Sequence, residues 1–394
     1  MKSKILPNIP HNVWILGFVS LLTDISTEMI HSVLPLFLVS SLGANLLTVG
    51  SIEGIAESTA SILKIFSGAL SDYWGKRKSL AIAGYGLSTL VKPLFAIAVN
   101  PTWVLIARFG DRLGKGIRVA PRDALVADAT DVANRGAAYG FRQSLDTVGA
   151  FLGPLAAFGL LSVFQQNFRL VFAIAVLPGI LAIALLAKGI REPKATVAHK
   201  RNNPLNWKSL LSLGKSYWLM VTVALLFNLG NSSEAFLLLR AEQIGIAANL
   251  IPLTLVVMNI AYSLSAYPLG LLSDRIGRIG LLSNGLLIYA LTYFGFAFVD
   301  RPWQVWLLFG LYGLYQGMSQ GLLLAFVADQ VPANLRGTAF GGINLATGIA
   351  LLPANLIAGS LWESISPQAT FICGGIFALS AIVLLLITVK LSRI

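Results

Sequence analysis

GALSDYWGKRK, residues 68–78, recurs as GLLSDRIGRIG at residues 270–280, and ALVADATDVANRGAAYG, residues 124–140, recurs as AFVADQVPANLRGTAFG at residues 325–341. The offsets are 202 and 201 residues, so the register hardly drifts and the chain reads as two copies of one unit. What surrounds these short polar loops sets the class of each copy. Of 394 residues, 56% are hydrophobic and only 12% are charged, whereas an ordinary soluble domain carries about 25% charged residues. Apolar segments of roughly 20 residues recur throughout, each long enough to cross a hydrocarbon core about 30 Å thick. A β-barrel would show alternating strands of ~10 residues instead, so the expectation is an all-α integral membrane protein.

Turn clusters and charged loops divide the chain into twelve spans, starting near residues 13, 47, 80, 102, 137, 168, 214, 248, 279, 303, 337 and 368. The widest polar interval lies in the middle. The expected organisation is a six-helix bundle over 1–187, a cytoplasmic linker over 188–213 and a second, pseudo-symmetric six-helix bundle over 214–394. Six is an even number, so both copies enter the bilayer from the same side and are related by an axis along its normal.

The net charge of +12 raises the question of a nucleic-acid partner. The bases answer it by their positions: Lys76, Arg77, Lys78, Arg135, Lys188, Arg191, Arg275, Arg278 and Arg336 fall at every second membrane exit, while exits near Gly43, Asn100, Asn167, Ile246, Asp300 and Ser366 hold few. That is the positive-inside pattern, with both termini cytoplasmic and a bacterial inner membrane as the expected location. Scattered loop charges make no continuous face for tracking phosphates, which excludes nucleic acid. Cys373 is the single cysteine, so no intramolecular disulfide forms. The N-terminal MKSKILPNIPHN lacks a small-residue cleavage site and reads as the approach to an uncleaved first span.

The repeated loops carry a resemblance. Gly68, Leu70, Asp72, Gly75, Lys76 and Arg77 match the loop motif that joins the second and third helices in the major facilitator superfamily of secondary transporters, and Gly270, Leu272, Asp274, Arg275, Gly277 and Arg278 match it again. Tyr73 stands where that family usually has arginine. Arg108 resembles the family's fourth-helix arginine, and Gly149-x-x-x-Gly153-Pro154 is similar to the fifth-helix motif of its antiporter branch, although Ala156 and Ala157 replace further glycines. The resemblance implies the twelve-helix fold, transport by alternating access, and a conformational latch at Gly68, Asp72, Gly75, Arg77, Gly270, Asp274, Arg275 and Gly277.

The two copies differ in chemistry. The first half holds Asp24, Glu28 and His31 in span 1, Glu53, Glu57 and Lys64 in span 2, Lys92 in span 3, Arg108, Asp111, Arg112, Lys115 and Arg118 in span 4, and Arg142 and Asp146 in span 5. The second half is nearly neutral, with Glu234 its main buried acid. An ionisable residue at the bilayer centre costs at least ~2.5 to 3.5 kcal/mol, so these side chains face protein or water rather than lipid. Those of span 4 step by three or four residues onto one face that has one acid among its bases, so their partners must come from other helices. Asp24, Glu28 and His31 also share a face, and two carboxylates held close in low dielectric cannot both ionise cheaply; with Asp146 they are the expected proton-coupling residues. The expected substrate cavity is lined by Arg108, Asp111, Arg112, Lys115 and Arg142 together with Asn228, Asn231, Glu234, Gln316 and Asn344.

Enzyme motifs fail on inspection: Gly110-Asp-Arg-Leu-Gly114-Lys115 is one residue short of a phosphate loop and is followed by Gly116 where serine or threonine is needed. No catalytic residue, metal site or cofactor is expected, and a receptor or scaffold would not need a charged interior. The leading expectation is a monomeric, proton-coupled exporter of small organic or amphiphilic molecules. The alternative, motivated by the bases of span 4, is an importer or facilitator of an organic anion or a metal chelate such as a siderophore.

Overall fold

The computed structural model describes residues 9–74, 76–131, 134–190, 211, 213–276, 278–331 and 335–392. Gly75, Gly277 and most of the expected linker lie outside the described residues, as do the side chains of Asp72, Asp274 and Arg275 and the surroundings of Gly68 and Gly270. Twelve spans follow in order. The first half comprises α1 (His11–His31, prolonged by Leu34–Leu36 and a π-helical turn Phe37–Ser41), α2 (Leu46–Trp74), α3 (Arg77–Val91, then Pro93–Ile97), α4 (Pro101–Asp128), α5 (Arg135–Val163) and α6 (Phe168–Gly189). The second comprises α7 (Lys215–Gly230, then Glu234–Gln243), α8 (Ile251–Ile276), α9 (Arg278–Phe298), α10 (Pro302–Gln330), α11 (Arg336–Ser364) and α12 (Pro367–Ser392). Among the described residues, eight of these are long and apolar enough to cross a membrane by length and composition alone; α2 and α4, which carry several charges, are not among them.

Local chemistry sets the boundaries. Asn100 caps α4 by accepting from the Thr102 and Trp103 amides at 3.1 and 3.4 Å, with Pro101 at the first helical position, where its missing N–H costs nothing. Asn167 caps α6 through the Leu170 amide at 3.1 Å. α10 likewise begins on a proline, Pro302.

Within the first half α1 packs on α5 and α6, and α4 packs on α2 and α3; in the second, α8 packs on α10 and α9 on α10 and α12. The halves meet chiefly through α2 against α11 and α5 against α8, which are one contact repeated by the internal symmetry. Four hydrogen bonds join the halves among the described residues: the Leu46 amide to Glu363 at 3.1 Å, Asn249 to Ser162 at 3.2 Å, Asn259 to the Ala150 carbonyl at 3.2 Å, and Ser233 to Glu53 at 3.4 Å. Leu36 at the end of α1 shares an apolar cluster with Phe236, Leu237 and Leu238 of α7. All of these lie between the middle of the bundle and the end that bears the short loops around residues 42–45, 164–167 and 244–250. Toward the end that bears the termini, the described residues show no hydrogen bond or ion pair between the halves. The bundle is thus sealed at one end.

A seal that opens must break the Asn249–Ser162 contact. With Ser162→Cys and Asn249→Cys in a Cys373→Ser background, mild oxidation should join the two halves, read as a band that survives proteolytic cleavage of an engineered linker site, and should cut transport about tenfold or more until reductant restores it. Full transport by the cross-linked protein would show that this end does not open.

Candidate functional site

The interior charges are organised by small residues. A side chain added at Gly149 of α5 would come within 2.7 Å of the Leu21 carbonyl and 2.8 Å of Asp24 Cβ, and one at Gly153 within 2.6 Å of Glu28 Cβ. α5 therefore lies directly against α1 at the level of both acids, and only glycine permits that approach. Asp24 makes no hydrogen bond or ion pair with the described residues; its charged neighbours are Asp146, Glu28, Lys115 and Arg118. Glu28 meets His31 on its own helix, Oε2 to Nδ1 at 3.4 Å.

The bases of α4 find acids on α2. Arg108 grips Glu53 with both arms of its guanidinium, Nε to Oε1 at 3.1 Å and Nη2 to Oε2 at 2.7 Å, and both side chains are almost wholly buried. Glu57 lies one turn along α2, 3.1 Å from Arg112 Nε and 3.6 Å from Arg108 Nη2. Arg118 donates to Ser88 of α3 at 2.6 Å and stacks over the Tyr85 ring at 4.7 Å. Lys115, half-buried, has no carboxylate within 4 Å among the described residues. Arg108 and Arg112 thus find on another helix the acids that the face of α4 lacks.

Nearer the termini, Arg142 donates to Asp146 at 2.7 Å along α5, and its Nε lies 4.0 Å from Asp123 of α4. Asp123 also accepts from Arg122 at 3.0 Å, and its carbonyl accepts from the Tyr139 hydroxyl at 2.8 Å. Of the latch residues, Arg77 bonds the Asp128 carboxylate and the Ala124 carbonyl, tying the start of α3 to the end of α4.

In the second half α7 breaks at Asn231–Ser233. Tyr289 and Tyr293 of α9 hold the break, donating to the Gly230 carbonyl at 3.0 Å and the Ser232 carbonyl at 3.4 Å. The Ser233 amide donates to Asn355 of α11 at 2.8 Å while its hydroxyl reaches Glu53 of α2. Ser233 therefore joins the second half to the Arg108–Glu53 pair. Glu234, the next residue, accepts from Gln316 of α10 at 3.0 Å, and its charged neighbours across the interface are His31, Glu28 and Glu57. Asn228 donates back to Ala224 of its own helix at 2.7 Å, Asn231 keeps a buried oxygen without a partner, and Asn344 is exposed with no hydrogen bond to the described residues.

The structure thus brings Glu28, His31, Glu234 and Gln316 toward one another, gathers Arg108, Asp111 and Arg112 into a network with α2, and pairs Arg142 with Asp146. Asn228 and Asn344 stand apart from that grouping. Sequence reasoning passed over Ser233, Asn355 and Asp123 as site residues, and left Glu53 and Glu57 as bulk countercharge. A Ser-Ser pair before an acid in mid-span is a helix-break signal that points to Ser233; Asp123 and Asn355 carry no comparable signal.

Arg108 and Glu53 neutralise each other out of reach of water. Arg108→Gln should lower the stability of the purified protein by about 3 to 5 kcal/mol, because an unpaired carboxylate stays buried, and Arg108→Gln with Glu53→Gln should recover most of it. Thermal unfolding in detergent reads both; a double variant no better than the single one contradicts the pairing.

A sequence profile of the Major Facilitator Superfamily matches residues 16–240 and 233–393. An uncharacterized MFS-type transporter of Methanocaldococcus jannaschii is 34% identical over 382 residues, covering 95% of this chain and 94% of the relative. The multidrug resistance protein MdtG of Citrobacter koseri is 28% identical over 337 residues, 82% of this chain and 80% of its own. A gentisate transporter of Corynebacterium glutamicum is 26% identical over 369 residues, 88% of this chain and 80% of its own. Two matched segments spanning nearly the whole length, one for each six-helix half, agree with the internal repeat and the paired α2–α11 and α5–α8 contacts: the chain is a membrane transporter belonging to the major facilitator superfamily.

Proposed function

We propose that the protein is a proton-coupled exporter that works by alternating access and moves small organic or amphiphilic molecules out of the cell in exchange for protons. The observation that carries this reading is which member is the more exposed in three of the interior charge pairs. Arg112 is 4% exposed and its partner Glu57 31%; Arg122 is 13% exposed and Asp123 36%; His31 is 13% exposed and Glu28 26%. In each of these three pairs the acid is the more exposed member. An interior lined this way suits protons and neutral or cationic organic molecules, and Asp24, with no partner of its own, is the proton site. The similarity to MdtG, a multidrug resistance protein by name, supports the direction.

In this reading the protein lies in a bacterial cytoplasmic membrane with both termini inside, so the sealed end is the outer one and the site opens to the cytoplasm. Asp24, Glu28, His31 and Asp146 handle the proton. Arg142, Glu234, Gln316 and Asn231 bound the substrate space between the halves, and the repeated loops steady the two alternating states. One chain supplies both halves of the path, so a monomer suffices.

A second reading, an importer or facilitator of organic anions, is favoured by Lys115, a base facing the interior without a carboxylate, and by the similarity to a gentisate transporter. Arg108 and Arg112 do not distinguish the readings, because α2 acids already hold both.

In inside-out vesicles energised to an acidic lumen, ethidium or berberine should accumulate, and Asp24→Asn with Glu28→Gln should cut that uptake about tenfold or more. Uptake indifferent to the proton gradient, or intact in the double variant, removes proton coupling through α1. Lys115→Gln should leave dye transport within about twofold of the parent; gentisate movement lost in that variant, with dyes never moved by the parent, establishes the anion carrier instead.

A further inference from the structure

Lys92 is a buried ammonium at the break in α3, 1% exposed, in the first half where Arg108, Arg112, Arg122 and Arg142 each touch an acid. Its Nζ donates to Ser26 Oγ at 2.5 Å and Thr27 Oγ1 at 3.3 Å, both on α1, and no carboxylate lies within 4 Å of it among the described residues. An ammonium has three protons to place, and two hydroxyls satisfy two of them. Facing it from α4 is Asp111, equally buried, whose Oδ1 has no hydrogen-bond partner and whose Oδ2 is 4.0 Å from Arg112 Nε. A lone positive charge and an under-used negative one therefore share a dry region of the first half without touching. Holding them apart is expensive, and an expense of that kind at membrane depth is characteristic of a moving part.

The charged groups that face Lys92 are Asp24 from α1 and Asp111, Arg112 and Arg118 from α4. α6 presents only a backbone carbonyl there, that of Ala175, which accepts from Ser26. Lys92 thus stands between the unpartnered acid of α1, two residues from Ser26, and the orphan oxygen of α4.

We propose that Lys92 is a positioning residue that transmits the charge state of Asp24 to α4 by changing partners. The proposal rests on the reading of Asp24 as the proton site. With Asp24 ionised, the negative charge on α1 keeps the ammonium on Ser26 and Thr27, and α3 stays tied to α1. When Asp24 takes up a proton that attraction disappears, and the strongest remaining acceptor is Asp111 Oδ1; the ammonium moves to it and releases α1. Lys92 stays protonated throughout, so the only proton that moves is the one on Asp24. Because α1 also contacts α7 at the sealed end, freeing it loosens the seal.

The test uses the Ser162→Cys/Asn249→Cys protein described above, with the rate of cross-linking, divided at each pH by that of a control cysteine pair placed within one half so that thiolate ionisation cancels, as the measure of the sealed state, followed from about pH 5 to about pH 9. The parent should respond sigmoidally. Lys92→Gln should move the midpoint by about one pH unit or flatten the response, Lys92→Arg should keep the parent curve, and Asp111→Asn should hold the protein at its alkaline cross-linking rate under acid conditions. A purely structural Lys92 would lower the rate by one factor at every pH and leave the midpoint in place, which overturns the proposal. Should Lys92→Gln fail to fold, Asp111→Asn decides: a parent-like curve overturns the proposal. A parent that shows no pH response overturns the proton reading itself, whereas a responsive parent with a parent-like Lys92→Gln curve overturns only the role given to Lys92.

Discussion

The two-pronged ion pair between Arg108 and Glu53 is the interaction on which the rest of the interior depends. Neither charge can reach water, so each exists only because the other is in place. Their union pins α4 to α2, and α2 is the helix that meets α11 across the interface. Ser233 extends the pair into the second half: it reaches Glu53 with its hydroxyl and Asn355 with its amide, so one cluster spans α2, α4, α7 and α11. A carrier that rocks its halves apart at this end must give up the Ser233 contact and keep the ion pair. That division separates a weak, neutral hydrogen bond that is cheap to break from a buried charge pair that is not.

The duplicated scaffold and its unequal chemistry follow from the same economy of charge. Both copies need to satisfy the carbonyls at the end of their third helix, and both use an arginine. Arg169 of α6 donates to Ala96 and Ala98 at 2.7 Å each, whereas Arg240 of α7 donates to Phe296 at 3.1 Å. The two arginines come from different positions in their copies, so the repeat conserves the problem and not the solution. Where the first half fills its centre with ion pairs, the second uses tyrosines: Tyr289 stacks on Tyr293 and meets Tyr315 edge-on, and Tyr315 packs at a tilt on Tyr312, beside the broken α7. An aromatic cluster of this kind needs few countercharges and stiffens the half whose main buried acid is Glu234.

Much of the fold was legible in the residues. The twelve span starts read from punctuation fall within about three residues of the helices, since prolines, asparagine caps and glycines act locally. The Gly149-x-x-x-Gly153 motif stood out in the sequence, but the close approach to α1 at Asp24 and Glu28 that it permits emerged only on folding. The site was less legible. The face of α4 could be drawn from spacing, but the partners of Arg108 and Arg112 lie 55 residues away on α2, and Asp111, on the same face, turned out to have an oxygen with no partner. Asn344, polar and well placed by periodicity, lies exposed and apart.

The sequence by itself determined that the chain crosses a membrane twelve times as two copies, and that the first copy carries charge in its interior. Length, hydropathy and repeat spacing are properties of contiguous residues, and the cost of charge in hydrocarbon leaves them few alternatives. Only the tertiary structure decided which charges meet, and that Lys92 and Asp111 lie near each other without contact. Those outcomes depend on the rotation and depth of each helix against neighbours remote in sequence, and a rotation of a fraction of a turn exchanges a buried partner for an exposed one.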